Sequence, residues 1–406
     1  MGGTHRRSMA RQVTMRVSKD FRTRVAKCFE LQGGAGRLLP MEGMRGLSAL
    51  LVFFVHFHAL FGSRIEQSPV HEASLFLATL GHCGVDVFFA LSGFIIYGML
   101  LRKPFGYFDF VRRRIARLYP TFTAIFLLYV VLSIALPTVS KLPHSFGAAV
   151  MYLSANYLML PGIFPIVPMI TPAWSLSYEL CFYLTLPLVV RWLRIYAWPH
   201  RERVIFWLCV CIGYLALFEA GVGQHPRMIM FGCGVLLRET IHHRITWERF
   251  GNIAALVSFA VALAWFGLQD SQIVTSICGP IVTRSALTYG GLFISTYALG
   301  YYALGGNGFL AKFFSWDWLR WFGNISYSFY LTHGLALHFL KGGLEFLHLP
   351  AHLSPLGYLA LGCATLSGTI VGSAAMFLLV EKRFLLSTHS SGASQLVPAD
   401  AEMARS

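Results

Sequence analysis

The sequence predicts an all-α polytopic integral membrane protein with about ten transmembrane helices and both termini in the cytoplasm. Three observations lead there: too few charges for a water-facing surface, a series of long apolar runs, and basic residues that alternate between the gaps separating them. Of 406 residues, 56% are hydrophobic, 15% aromatic and only 13% charged. A soluble domain carries about 25% charged residues to cover its surface. A chain with half that share is solvated by lipid. The net charge is +15, from 33 Lys and Arg against 18 Asp and Glu. These basic residues lie in short gaps between apolar runs, so they read as topology determinants facing anionic lipid, with no nucleic-acid partner implied. The eight cysteines form no CxxC and no Cys/His pair at zinc spacing. They read as packing residues, and neither a metal nor a bound prosthetic group is expected.

Residues 1–37 form a basic tail with no apolar stretch at signal-peptide range, and Arg6 stands where a myristoylation motif needs Ser or Thr. The tail reads as a disordered cytoplasmic extension starting at Met1, Met9 or Met15. A membrane domain spans 38–384, with apolar runs at 44–61, 74–101, 118–137, 172–190, 204–220, 227–237, 251–268, 285–304, 321–340 and 355–380. Most reach the length of about 20 residues that a helix needs to cross a bilayer; the sixth is short for a span. FGAAVMYLSANYLML, at 146–160, is apolar but interrupted by polar residues and followed by Pro161 and Pro165. It reads as a re-entrant or interfacial helix. Residues 385–406 are small and polar, a second disordered tail.

Charge alternation supports the count. With the N-terminus inside, the cytoplasmic gaps hold Arg102, Lys103 and Arg112 to Arg114 with Arg117, then Arg191, Arg194, Arg201 and Arg203. Next come Arg238, Arg244 and Arg249, then Lys312 and Arg320, and finally Lys382, Arg383 and Arg405. The other side keeps Arg64, Lys141, Arg227, Arg284 and Lys341. Miscounting one span would scramble this pattern. No repeat and no inverted pair of broken helices is visible, which counts against a transporter.

A charge near the bilayer centre costs about 2.5–3.5 kcal/mol, so each one there needs a reason. In the first span Arg45 and His56 are eleven positions apart. At 100° per residue they return to within about 20° of one face, about 16 Å apart along the axis. One stripe thus carries a guanidinium at the cytoplasmic mouth and an imidazole past mid-membrane, while His58 points the other way. The second span holds Asp86, with His82 one turn earlier as a possible orienting partner; the alternative is a structural carboxylate neutralised by an arginine elsewhere. RRRIARLYP puts Arg114 and Arg117 at the membrane boundary, where they either snorkel or hold a polyphosphate. Glu179 shares a stripe with Ser175 and Tyr183 in the fourth span, and Ser326, Tyr330 and His333 share a face in the ninth. These could equally be packing residues.

EGMRGLSALLVFFVH, GVDVFFALSGF, RRRIARLYP, WSLSYELCFYL, RMIMFGCGVLL and GNISYSFYLTH occur in this order along the chain. Together they resemble the acyltransferase 3 family of polytopic membrane acyltransferases, over about residues 38–384. The resemblance places the family's Arg/Lys-x10-His signature on Arg45 and His56, its acidic motif on Asp86 and its RxxR motif on Arg114 and Arg117. The WSLxxE carboxylate falls on Glu179, and SYxxYLxH supplies Tyr330 and His333. His82 and the basic tail are not part of the pattern.

The resemblance implies an O-acetyltransferase of the bacterial inner membrane that moves an acyl group from acyl-CoA, most simply acetyl-CoA, to a sugar hydroxyl of a surface or exported glycan. Arg45, Arg114 and Arg117 would hold the CoA phosphates. His56 would act as general base or as nucleophile, with Asp86, Glu179 or His333 orienting it or relaying the proton. Two rivals stay open at this stage. One is a flippase of a lipid-linked saccharide, which needs no CoA. The other is a haem protein with His56 and His333 as axial ligands.

Overall fold

The computed structural model describes residues 22–30, 38–66, 68–102, 105–137, 140–222, 225–241, 248–268, 281–348 and 352–384. The rest of both tails, with the three candidate start methionines, lies outside the described residues, as do Lys103, Arg244, Cys278 and Arg405. The described chain is helical, and an isolated bridge between Pro161 and Phe164 is its one β contact.

Helix α1 covers 22–29. It is followed by α2 (Leu39–Phe61), α3 (Pro69–Gly81), α4 (Cys83–Arg102), α5 (Tyr107–Ala135) and α6 (Phe146–Tyr157). Next come α7 (Trp174–Trp192), α8 (His200–Glu219), α9 (Ile229–Thr240), α10 (Glu248–Leu268) and α11 (Ile281–Gly305). The chain ends with α12 (Phe309–Phe314), α13 (Asp317–Asn324), α14 (Ser326–Phe346) and α15 (Pro355–Met376), which runs into a π-helical segment, Phe377–Glu381. Local signals set several starts. Ser68, Ser145 and Ser354 each accept a backbone N–H from the first turn of α3, α6 and α15. Pro69 and Pro355 occupy first-turn positions where no N–H is needed.

Every apolar run lies mainly on helix. Among the described residues, six stretches are long and apolar enough to cross a bilayer: Leu39–Ile65, Pro69–Leu101, Tyr107–Ala135, Thr171–Trp192, Glu248–Gly267 and Pro355–Phe384. The other four runs fall on α8, α9, α11 and the α13–α14 pair. Twelve-residue α9 is too short, and polar content sets the others apart: α8 opens on His200, Arg201, Glu202 and Arg203, and α14 buries Ser326, Ser328 and His333. The second run is broken at His82, where α3 ends and α4 begins, and the ninth breaks at Ile325. The 146–160 region contains one twelve-residue helix, α6.

Exposed apolar faces on the bundle's outside include Ile205 and Ile212 of α8, Val257 and Val261 of α10, and Val371 and Leu379 at the C-terminal end. Continuous apolar surface of this kind on long helices is lipid-facing. With the six spanning stretches, it makes the chain an integral membrane protein.

Short α9 sits at the centre. Met230 and Cys233 are fully buried, and α9 lies backbone to backbone on α4. A Cβ on Gly234 would run into the Ala90 carbonyl oxygen, and one on Gly93 into that of Phe231. Small residues permit this approach, as they do between membrane helices generally. At its end Glu239 accepts from Arg203 Nε (2.7 Å) and Nη2 (3.0 Å) of α8, and from Tyr97 OH (2.5 Å) of α4. His200 Nδ1 lies 3.0 Å from Oε2, the oxygen that Arg203 Nη2 also reaches. Burial alone would raise the Glu239 pKa, but these donors outweigh it and hold the carboxyl below its ordinary value.

Part of the N-terminal segment read from sequence as a disordered tail is ordered in α1, because the core offers it partners. Arg320 of α13, 5% exposed, donates to Glu30 (3.0 Å) as well as to Glu42 of α2 (3.3 Å) and Asp317 (3.1 Å). Asn324 Nδ2 donates to the Phe29 carbonyl at 3.0 Å.

Candidate active site

Five helices meet around one narrow cavity. Arg45 comes from α2, Ser92 from α4, Arg114 and Arg117 from α5, Glu179 and Tyr183 from α7, and Ser326 and Tyr330 from α14. Helical spacing delivers them in pairs: three residues separate the arginines, and four separate each pair on α7 and α14. The cavity volume is about 80 Å³, enough for a thin chain or a few waters and too little for a nucleotide.

Among the described residues, no carboxylate oxygen lies within 4.0 Å of Arg45, Arg114 or Arg117. Glu179 and Glu381 act on Arg45 only at longer range, and Arg117 repels it. Glu179 is occupied elsewhere, accepting from Ser92 Oγ at 2.7 Å and from Tyr183 OH. Arg114 has a weak contact to Met99 Sδ (3.3 Å) and stands 5.5 Å over the Phe110 ring, while its Nε has no partner. Ser326 Oγ is likewise buried without a partner. Cationic and hydroxyl donors left over around a cavity fit an anionic ligand with polar groups along its length.

Tyr330 lines the cavity from α14. Its hydroxyl contacts Ser175 Oγ (2.7 Å) and donates to the Pro172 carbonyl (2.9 Å), and its ring meets Phe88 edge-on at 5.9 Å. Ser175 therefore serves Tyr330, whereas Tyr183 keeps the Glu179 contact that the shared stripe suggested. One turn beyond Tyr330 lies His333, fully buried, its ring 5.8 Å from that of Tyr330 and 5.0 Å from that of His56. His333 Nδ1 is 3.2 Å from the Phe329 carbonyl. A carbonyl only accepts, so Nδ1 carries the hydrogen and Nε2 keeps a lone pair, which has no partner. His56 is half-buried, within electrostatic reach of His82 and His338.

Asp86 is not brought to this pair. It is completely buried, with Arg227 Nη1 at 3.8 Å, and that arginine also donates to the His82 carbonyl at 2.9 Å. The His82 imidazole makes no hydrogen bond to Asp86, whose two oxygens lack hydrogen-bond partners. The expected residues thus fall into three groups: His56 with His333; Arg45, Arg114, Arg117 and Glu179 around the cavity; and Asp86 with Arg227. The haem arrangement does not fit. Two axial ligands each about 2 Å from a metal keep their ring centres about 6 Å or more apart, and these are 5.0 Å apart. Among the described residues, no group of three His, Cys, Asp or Glu is placed to hold a metal ion.

Sequence reading missed Ser92 and the pairing of Arg227 with Asp86. From sequence Arg227 reads as a charge on the outer side.

A family model described as an acyltransferase domain matches residues 40–374. Acyltransferase MdmB of Streptomyces mycarofaciens is 27% identical over 347 residues, covering 76% of this chain and 81% of that protein. Exopolysaccharide production protein ExoZ of Rhizobium meliloti is 27% identical over 320 residues, 76% of this chain and 90% of that protein. O-acetyltransferase OatA of Staphylococcus aureus is 25% identical over 343 residues, 78% of this chain, but the match spans only 52% of that longer protein. No solved structure matches the chain.

Proposed function

The chain belongs to the acyltransferase 3 family of membrane acyltransferases, and on that premise we propose that it is an O-acetyltransferase moving acetyl from acetyl-CoA to a sugar hydroxyl of a surface or exported glycan. The observation that carries this reading is the set of three guanidinium groups without close carboxylates at a narrow cavity lined by Tyr330, which lies one turn before His333 of the His56–His333 pair. CoA offers what those groups lack: a pyrophosphate and a ribose phosphate for the arginines, and a thin pantetheine arm for a cavity too small for the nucleotide. Names of relatives point the same way for the acceptor, one being an O-acetyltransferase and another an exopolysaccharide production protein.

In this reading ten spans cross a bacterial inner membrane with both termini in the cytoplasm, and the arginines face the cytoplasmic donor pool. The phosphates bind at Arg45, Arg114 and Arg117. The pantetheine amides meet Ser326 and Tyr183, and the thioester passes Tyr330 to reach His56. His56 takes the proton of the sugar hydroxyl as its oxygen attacks the thioester carbonyl. The C–S bond breaks, the ester forms, and the CoA thiolate leaves to be reprotonated from His56. Its tautomer fixed by the Phe329 carbonyl, His333 presents a lone pair beside His56 and orients it. Asp86 with Arg227 pins the α3–α4 break at His82. A rapid-quench experiment with labelled acetyl-CoA tests the base assignment: no label stays on the protein, whereas label on His56 would make it a nucleophile.

A further inference from the structure

Arg320 reads from sequence as one more cytoplasmic charge, yet it is buried and holds three carboxylates. Its Nε donates to Glu42 Oε2 of α2 at 3.3 Å, Nη2 to Glu30 of α1 at 3.0 Å, and Nη1 to Asp317 at 3.1 Å. One turn further along α13, Asn324 Nδ2 lies 3.4 Å from the same Glu42 oxygen. Glu42 is itself buried. Glycines lock the two helices together at this point. A Cβ on Gly43 would run into the Phe314 carbonyl oxygen, one on Gly46 into that of Leu319, and one on Gly323 into that of Glu42. Arg45, which lines the cavity, stands between Gly43 and Gly46 on this interlocked turn.

Glu42 and Arg45 are three positions apart on α2. Opposite charges at that spacing are neighbours on a helix surface and attract each other. Here they are kept apart. Among the described residues Arg45 has no carboxylate oxygen within 4.0 Å, while Glu42 turns to α13. We infer that Arg320 is a positioning residue of the donor mouth: it holds Glu42 on α13 and so leaves Arg45 open to the donor's phosphates. The assignment rests on the acyl-CoA reading. Without Arg320, Glu42 becomes a buried acid that has lost its cation, and Arg45 is the cation next to it along the helix. The site then carries an anion of its own, which competes with CoA.

The test is CoA titration by calorimetry, on the purified full chain in lipid nanodiscs. Arg320→Gln releases Glu42 and weakens CoA binding about tenfold, the worth of one charge-assisted phosphate contact. Arg320→Lys keeps the charge and stays near wild-type affinity. Adding Glu42→Gln to Arg320→Gln removes the competing anion and restores binding. The decisive comparison is made in an Arg45→Gln background, which binds CoA through Arg114 and Arg117 alone. There Arg320→Gln costs nothing further, because its effect runs through Arg45. A clamp that merely supports the fold weakens binding equally with and without Arg45. If Arg320→Gln does not fold, Asn324→Ala loosens the same carboxylate and shows the same pattern by a smaller factor. Unchanged CoA affinity in the variant, or an equal loss in the Arg45→Gln background, overturns the assignment alone. A wild type that binds no CoA overturns the donor reading and the assignment with it.

Discussion

His333 Nε2 is a buried lone pair with no hydrogen to accept, beside an imidazole that must gain and then release a proton in the proposed reaction. That pairing defines what each residue should cost. His56→Ala lowers acetyl transfer by about 10²–10⁴, the range of a general base, measured as turnover at saturating donor. Arg117→Gln raises the KM for acetyl-CoA by about tenfold or more with kcat nearly unchanged, because a lost charge-assisted phosphate contact is worth about 1.5–3 kcal/mol. A kcat effect without a KM effect would move Arg117 out of the donor mouth. Arg45 and His56 were legible in the sequence because helical geometry alone decides whether residues eleven apart share a face. The partner of Asp86 was not. Arg227 lies 141 positions away, on the turn before α9, and only tertiary packing brings the two charges together.

At the level of helices, the sequence showed where the apolar runs are and not where they break. His82 and Ile325 interrupt runs whose hydropathy is continuous, since hydropathy reports burial or lipid contact and not backbone direction. The twelve-residue α9 is the clearest example: too short to cross a bilayer unaided, it is held by close packing and by the Glu239 cluster. Gly234→Leu drives a side chain into the α4 backbone and costs about 1–3 kcal/mol or more, read as a lowered Tm. Glu239→Gln leaves Arg203 without its buried partner and costs about 3 kcal/mol. The pH dependence has a definite sign. Glu239 has a folded pKa below its ordinary 4.5, so wild type binds fewer protons folded than unfolded. Its advantage over Glu239→Gln is full above pH 4.5 and shrinks as pH falls below that value, through the folded pKa. An advantage that persisted unchanged into that acid range would mean the carboxylate is not what holds α8, α9 and α4 together.

For the whole molecule, composition sufficed to identify a lipid-solvated helical bundle, and among the described residues six stretches meet the length and apolarity needed to cross. The ten-span arrangement makes a separate claim: single cysteines placed beside Lys141 and at His348, just after α14, react with an impermeant maleimide from outside intact cells, and one beside Arg194 does not. Both tests of topology and of residues feed one larger question, whether an acyl group enters at the arginines and leaves at His56. Inverted membrane vesicles supplied with acetyl-labelled CoA and an acceptor glycan answer it. Wild type should place label in the glycan, while His56→Ala and vesicles lacking the protein should not. If wild type instead moved the acceptor across the membrane unacylated and consumed no thioester, the chain would be a flippase, and the transfer mechanism would be wrong.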